Sequence, residues 1–130
     1  MLKTSQIALF IGLGIAFWLT GLLFIRVVGP VIFTPDNPLI IVLYLASFPM
    51  LFAAIAIASA ISRLPMKDML EPMVIMTFSA IFIDGAVIAL LPEAYGDDLT
   101  QVMRAAAWLL WGGAAGLLCA WLLSLRGNSA

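Results

Sequence analysis

Asp84 is the acidic side chain best placed to do chemistry in this sequence, because it stands alone within an otherwise uncharged apolar stretch. It lies eight residues before Pro92, which is roughly 12 Å along a helix. A charged carboxylate facing lipid at that depth would cost roughly 2.5–3.5 kcal/mol, so we expect Asp84 to face other helices. Thr77 lies seven residues earlier, on the same helical face, and adds a second polar group to that surface.

Two arginines lie at a depth from which either could reach Asp84. Arg104 begins the last apolar stretch, and Arg26 ends the first. An Asp84–Arg104 or Asp84–Arg26 ion pair would fix which helices are neighbours. Without such a pair, Asp84 could bind and release a proton, and with Thr77 and the two arginines it would form a substrate or proton site. The sequence favours the structural ion pair and leaves the proton site as the alternative.

The residue types that most enzymes and metal sites need are scarce. The sequence has no histidine and one cysteine, Cys119, so it lacks the commonest metal ligand and cannot form an internal disulfide. It contains no glycine-rich phosphate-binding loop and no visible nucleophile–base pair. We therefore expect no enzymatic activity, no cofactor and no metal.

The composition is that of a membrane protein. Hydrophobic residues make up 65% of the 130 residues and charged residues 10%, with a net charge of -1. An ordinary soluble domain has about 45–50% apolar and about 25% charged residues. The six basic residues are scattered and form no stripe, which argues against nucleic acid as a partner. Lipid and other membrane proteins, including further copies of this chain, are the expected partners.

Four apolar stretches are long enough to cross a bilayer, which takes about 20 residues in a helix. The prediction is an all-α, antiparallel bundle of four transmembrane helices in a single domain over residues 1–130. The predicted spans are 7–28, 39–61, 73–91 and 102–125. Gly29-Pro30 is expected to end the first span, Pro38 and Pro72 to begin the second and third, and Thr100 to cap the fourth.

The basic residues predict the orientation of these spans. With both termini inside, the inner side carries Lys3, Arg63, Lys67 and Arg126, whereas the outer side keeps only Arg26 and Arg104. Cytoplasmic loops are enriched in lysine and arginine. We therefore expect a multi-pass protein of the inner (plasma) membrane with both termini in the cytoplasm.

Small residues predict where helices approach closely. The first span has such residues at every fourth position from Ala8 to Thr20, and the fourth span has them from Gly112 to Ser124. Each stripe could pack inside the bundle or form a homodimer face, and packing inside the bundle is the preferred interpretation. Pro49 predicts a kink in the second span, with Ser47 or a neighbouring helix as the partner for the freed carbonyl group.

Aromatic residues give two further expectations. Tyr95 and Trp121 are placed to lie at the two membrane surfaces. Trp108 follows Arg104 by four residues, a spacing that suits a cation–π contact on one helical face.

The segment 82–96 resembles a pattern found in small bacterial four-span membrane proteins whose function is not established. The pattern is Asp-Gly in the third span and Pro-x-x-Tyr-Gly in the following loop, matched here by Asp84, Gly85, Pro92, Tyr95 and Gly96. The resemblance implies a bacterial inner-membrane protein and no particular activity. Small multidrug exporters are similar in size, but their essential acidic residue lies in the first span, which here has none.

Two functional classes follow from these observations. The favoured one is a non-enzymatic subunit or accessory protein of the membrane. The alternative is a small proton-coupled transporter or channel in which Asp84 is the protonatable site, and it predicts a water-accessible cavity around that residue.

Overall fold

The computed structural model describes residues 2–128, and within that range the chain is all-helical with four α-helices and no strand. The helices are α1 (Thr4–Ile32), α2 (Leu39–Ser62), α3 (Leu70–Leu90) and α4 (Leu99–Asn128), with 3₁₀ turns at Met66–Asp68 and Pro92–Ala94. All four α-helices are long and apolar enough to span a membrane. The predicted number and class of elements are confirmed, and they indicate a multi-pass membrane protein.

The first helix runs past the residues that were expected to end it. α1 contains Pro30 and ends at Ile32, where the Phe33 N–H donates to the Gly29 carbonyl oxygen at 2.8 Å. Proline removes one hydrogen bond from the helix, and here that loss falls in the last turn, so the helix continues. The prediction that Gly29-Pro30 ends the helix is therefore wrong.

α2 begins at the predicted residue, whereas α3 and α4 each begin three residues before the predicted spans. α2 begins directly after Pro38, as expected, whereas α3 begins at Leu70, so Pro72 lies within its first turn. An N–H group there has no partner within the helix, so proline is tolerated. The Asp98 carboxylate accepts a hydrogen bond from the Gln101 N–H at 2.8 Å. Asp98, not Thr100, therefore caps α4.

Two clusters of buried side chains lie on either side of the middle of the molecule. The Phe10 cluster consists of Phe10, Ile55, Ala58, Met69, Met73, Ile75, Met76, Cys119 and Ala120. The Tyr95 cluster consists of Ile25, Phe33, Leu43, Tyr95, Val102, Ala105 and Trp108. α3 packs extensively on α1 and α4, and α4 on α2, whereas α1 and α2 touch each other little. α1 and α4 also touch each other little, so the four helices do not pack tightly at their centre.

The close contact between α1 and α3 occurs at Gly14. A Cβ atom at Gly14 would lie 2.8 Å from the Met76 carbonyl oxygen, so only glycine allows this approach. The predicted stripe from Ala8 to Thr20 lies instead on the exposed face of α1. The preferred interpretation, packing inside the bundle, is wrong for that stripe. In α4 it holds at Gly116 and Ala120, which are buried.

Two smaller expectations are also wrong. Ser47 donates to the Leu43 carbonyl oxygen at 2.9 Å rather than to the carbonyl that Pro49 frees. The Trp108 ring packs on Phe24 and Phe33, and no ring contact described within residues 2–128 includes an arginine.

Candidate functional site

A cavity of about 460 Å³ lies between the four helices, in the region bounded by the two buried clusters. Met73 and Met76 of the Phe10 cluster and Trp108 of the Tyr95 cluster line it. All four α-helices contribute to its walls. Its size falls in the range of small-molecule sites, which are about 300–1,000 Å³.

Asp84 and Thr77, two of the residues predicted to form a site, both line this cavity. They lie seven residues apart on α3, on the side that faces the other helices. Thr77 is buried, and its hydroxyl oxygen has no hydrogen-bond partner within the protein. Buried hydroxyl groups nearly always have one. The side chain lines the cavity, and its hydroxyl oxygen is the buried polar atom of this wall that lacks a partner.

The Asp84 carboxylate is held by a tyrosine instead of an arginine. The Tyr95 hydroxyl donates to Asp84 Oδ1 at 2.6 Å and accepts from Trp18 Nε1 at 3.0 Å. The three side chains form a continuous chain of hydrogen bonds from α1 to α3. A short O–H···O bond to a carboxylate is strong, because the acceptor carries charge.

The connection between α3 and α4 positions the tyrosine ring. The Leu91 N–H donates to the Val87 carbonyl oxygen as α3 ends, and the 3₁₀ turn that follows brings the Tyr95 N–H to the Pro92 carbonyl oxygen at 2.9 Å. The ring is enclosed in the Tyr95 cluster, so its hydroxyl group can only point inward, toward Asp84.

Burial of the ring raises the pKa of the Tyr95 phenol above its ordinary value of 10.0. The hydrogen bond to Asp84 raises that pKa further, and the bond from Trp18 opposes the change only in part. The phenol therefore keeps its own proton throughout the physiological pH range and can donate it to the ionised Asp84 carboxylate.

The two predicted arginine partners lie elsewhere. Arg26 donates to the Glu93 carbonyl oxygen at 2.8 Å and lies 3.9 Å from the Asp97 carboxylate. Arg104 forms no ion pair with Asp84, and its buried Nε atom has no hydrogen-bond partner. Neither arginine lines the cavity. The predicted Asp84–Arg104 and Asp84–Arg26 ion pairs are therefore wrong: Arg26 is held by the connection after α3, and the hydrogen bond to Asp84 comes from Tyr95.

Tyr95 and Trp18 are the site residues that the sequence analysis missed. One signal could have identified the tyrosine, since the pattern in 82–96 contains both Asp84 and Tyr95. The pattern by itself indicates a family resemblance and does not predict a contact between the two side chains. No comparable signal exists for Trp18, which lies 77 positions from Tyr95 along the chain.

The acidic and sulfur-bearing side chains do not gather into a metal site. Between residues 2 and 128, no group of three or more histidine, cysteine, aspartate or glutamate residues is placed to hold a metal ion. Cys119 is a buried thiol within the Phe10 cluster.

No family model, no curated protein and no solved structure matches this chain.

Proposed function

We propose that this chain is a non-enzymatic, multi-pass membrane protein that binds a small molecule between its helices and transports it in exchange for protons. Asp84 is the protonatable site. The observation that carries the proposal is that an intramembrane carboxylate without an ion pair lines a cavity large enough for a small molecule. Ionisable residues within membrane spans are costly and commonly mark substrate or proton pathways.

Exchange follows from the chemistry of one carboxylate. The Asp84 carboxyl group can either hold a proton or, as an anion, interact with a bound molecule. The proton and the molecule therefore compete for the same group. Tyr95 donates to the carboxylate without neutralising it, whereas an arginine would lock it in the charged form. Thr77 lies on the same wall, and its buried hydroxyl has no partner within the described residues.

The proposal includes an antiparallel bundle in the inner membrane with both termini in the cytoplasm. Its support is the charge bias of the connections and their short length. The composition of the Phe10 cluster agrees, since it joins residues early in α1 and α3 to residues late in α2 and α4.

Proteoliposomes test the transport proposal. Purified protein would be reconstituted with a pH-sensitive dye inside the vesicles, and neutral, cationic and anionic compounds would be added in turn. We expect at least one compound to move protons through the wild-type protein and not through Asp84→Asn. A matched control, Asp68→Asn, changes an exposed carboxylate outside the spans and should behave as wild type. Equal proton movement through Asp84→Asn would contradict the proposal.

A second role, as a subunit of a larger membrane assembly, is favoured by one separate observation. The small residues from Ala8 to Thr20 lie on the exposed face of α1, where a helix of another chain could approach closely. Either a second copy or another membrane protein would suit this face. Purification from native membranes in mild detergent tests this role, and a wholly monomeric protein without a stoichiometric partner would count against it.

A further inference from the structure

The residues that line the cavity limit the class of molecule that it can bind, an inference that rests on the proposed function. We infer that the ligand is a hydrophobic molecule with a single positive charge, and that it reaches Asp84 from the bilayer through the space between α1 and α2.

The charge of the ligand follows from the lining residues. Asp84 is the one charged side chain among them, and no lysine or arginine lines the cavity. A single carboxylate in apolar surroundings favours one compensating positive charge, because an unpaired charge is costly there. The aromatic rings of Trp18, Phe24 and Trp108 border the same space and present faces that attract cations.

The hydrophobic character follows from how few hydrogen bonds the walls can offer. The polar lining residues besides Asp84 are Thr20, Ser47 and Thr77. The Thr20 hydroxyl donates to the Ala16 carbonyl oxygen, and the Ser47 hydroxyl donates to Leu43 while it accepts from Trp108. Only the Thr77 hydroxyl has no partner. A polyhydroxylated or zwitterionic molecule would leave most of its polar groups unsatisfied here.

The ligand can enter the cavity through the side of the bundle, between the two buried clusters. Met73 and Met76 line the cavity where it meets the Phe10 cluster, and Trp108, which lies 5.3 Å from Phe24 between ring centres, lines it where it meets the Tyr95 cluster. Five of the lining residues are exposed: Thr20, Met50, Ala53 and Ile57 belong to α1 or α2, and Ile81 belongs to α3, so most of the open rim is formed by α1 and α2.

The depth of this opening places it in the hydrocarbon layer. Thr20 and Met50 lie near the midpoints of α1 and α2, so the opening is far from either end of the helices. A hydrophobic cation concentrates in a bilayer, because its apolar surface is removed from water. It can therefore reach the cavity without crossing either cluster.

Binding of such a cation releases one proton from a protonated Asp84, so charge and protons balance: the carboxylic acid and the cation give a carboxylate–cation pair and a free proton. The protein groups around the carboxylate do not compete with the bound cation for its negative charge. Trp18 faces it from α1 and Tyr95 from the connection after α3, and both act as hydrogen-bond donors. α2 has no charged residue, and Arg104 of α4 lies outside the cavity.

Calorimetry on the full-length protein in detergent tests the ligand class. The probes are phenylbutyl-trimethylammonium, whose charge is permanent, and its uncharged carbon isostere. We expect 1:1 binding of the ammonium compound by the wild type, with proton release, and at least tenfold weaker binding by Asp84→Asn. Asp84→Glu keeps the charge and should restore part of the affinity. Asparagine retains an oxygen that can accept from Tyr95, so Asp84→Asn should remain folded.

Substitutions at the opening test the route, with binding of radiolabelled phenylbutyl-trimethylammonium followed in vesicles. Ala53→Trp should slow association at least tenfold, whereas Ile57→Ala should speed it. Ala56→Trp is the matched control, because Ala56 is exposed on α2 but does not line the cavity. Unchanged rates in both Ala53→Trp and Ile57→Ala would overturn the lateral route.

The outcomes separate this inference from the proposal beneath it. Equal binding of the charged and neutral probes, or proton movement driven only by neutral or anionic compounds, would overturn the cation class and leave proton-coupled transport intact. If no compound in the proteoliposome panel moves protons, the proposed function itself fails.

Discussion

Asp84 is an acidic residue in a membrane span, and its nearest polar neighbours are a phenol and an indole. A buried ion pair would hold the carboxylate charged and would be costly to break. A neutral donor leaves the carboxylate free to gain or lose a proton, because no fixed positive charge beside it holds it ionised. The type of partner, an arginine or a neutral hydrogen-bond donor, therefore separates a structural role of Asp84 from a functional one.

The first prediction concerns the proton on Asp84. Attenuated total reflection infrared spectra of the wild type should show a carboxylic acid C=O band that disappears as the pH rises, because the side chain exchanges a proton with solvent. Asp84→Asn should lack that band and keep the helical amide bands. A spectrum of Asp84→Asn identical to that of the wild type would show that the band belongs to another carboxyl group.

The second prediction concerns the pH dependence of stability. Because the pKa of Tyr95 is raised in the folded protein, the unfolded chain loses its phenol proton near pH 10.0 while the folded chain keeps it. The contribution of Tyr95 to the free energy of unfolding is therefore complete below pH 10 and falls as the pH rises above it. Melting temperatures in detergent between pH 8 and 11 should fall less steeply for Tyr95→Phe than for the wild type.

The same variant has a second expected effect, at neutral pH. Tyr95→Phe removes the acceptor of the Trp18 N–H and should lower the free energy of unfolding by roughly 1–3 kcal/mol. Tyr44→Phe is the matched control, since it removes a phenol but leaves the Tyr95 hydroxyl in place. If Tyr44→Phe flattens the alkaline loss of stability as much as Tyr95→Phe does, the assignment to Tyr95 is wrong.

At the scale of elements, the contact between α1 and α3 depends on one glycine. Gly14→Ala would place a Cβ atom 2.8 Å from the Met76 carbonyl oxygen, which is backbone and cannot rotate away. We expect a loss of roughly 1–3 kcal/mol in the free energy of unfolding, the usual range for overpacking. Denaturation in mixed micelles would measure it.

Gly12→Ala is the control for that substitution. Its Cβ atom would have no neighbour within 4 Å, and alanine favours a helix over glycine by about 1 kcal/mol. The stability should be unchanged or slightly greater. Equal losses in Gly12→Ala and Gly14→Ala would mean that the helix contact is not the cause.

The elements themselves could be predicted because each is a long apolar run between polar connections. The ends of the helices could not be predicted, because Pro30 and Pro72 lie in terminal turns where a missing N–H costs little free energy. The position of Asp84 within the bundle followed from the cost of exposing it to lipid. The hydrogen-bond partner of Asp84, Tyr95, did not follow from that cost. Whether a phenol or an arginine bonds the carboxylate depends on how the connection after α3 folds back.

At the scale of the whole molecule, the orientation in the membrane can be tested directly. In a Cys119→Ala background, single cysteines at Asp97 and Lys67 would occupy exposed positions in different connections. A membrane-impermeant maleimide applied to intact cells should label Asp97→Cys at once and Lys67→Cys only after lysis, because the connection with more basic residues is expected in the cytoplasm. The reverse pattern would invert the proposed topology.

The Tyr95 hydroxyl joins three parts of the chain at a single oxygen atom: an indole on α1, a carboxylate on α3 and the loop that carries the ring itself. When the carboxyl group gains a proton it becomes a donor, and the phenol can then accept where it had donated. A single protonation event at Asp84 would therefore change the hydrogen bonding shared by α1, α3 and the loop together, so the geometry of all three is linked through one oxygen atom.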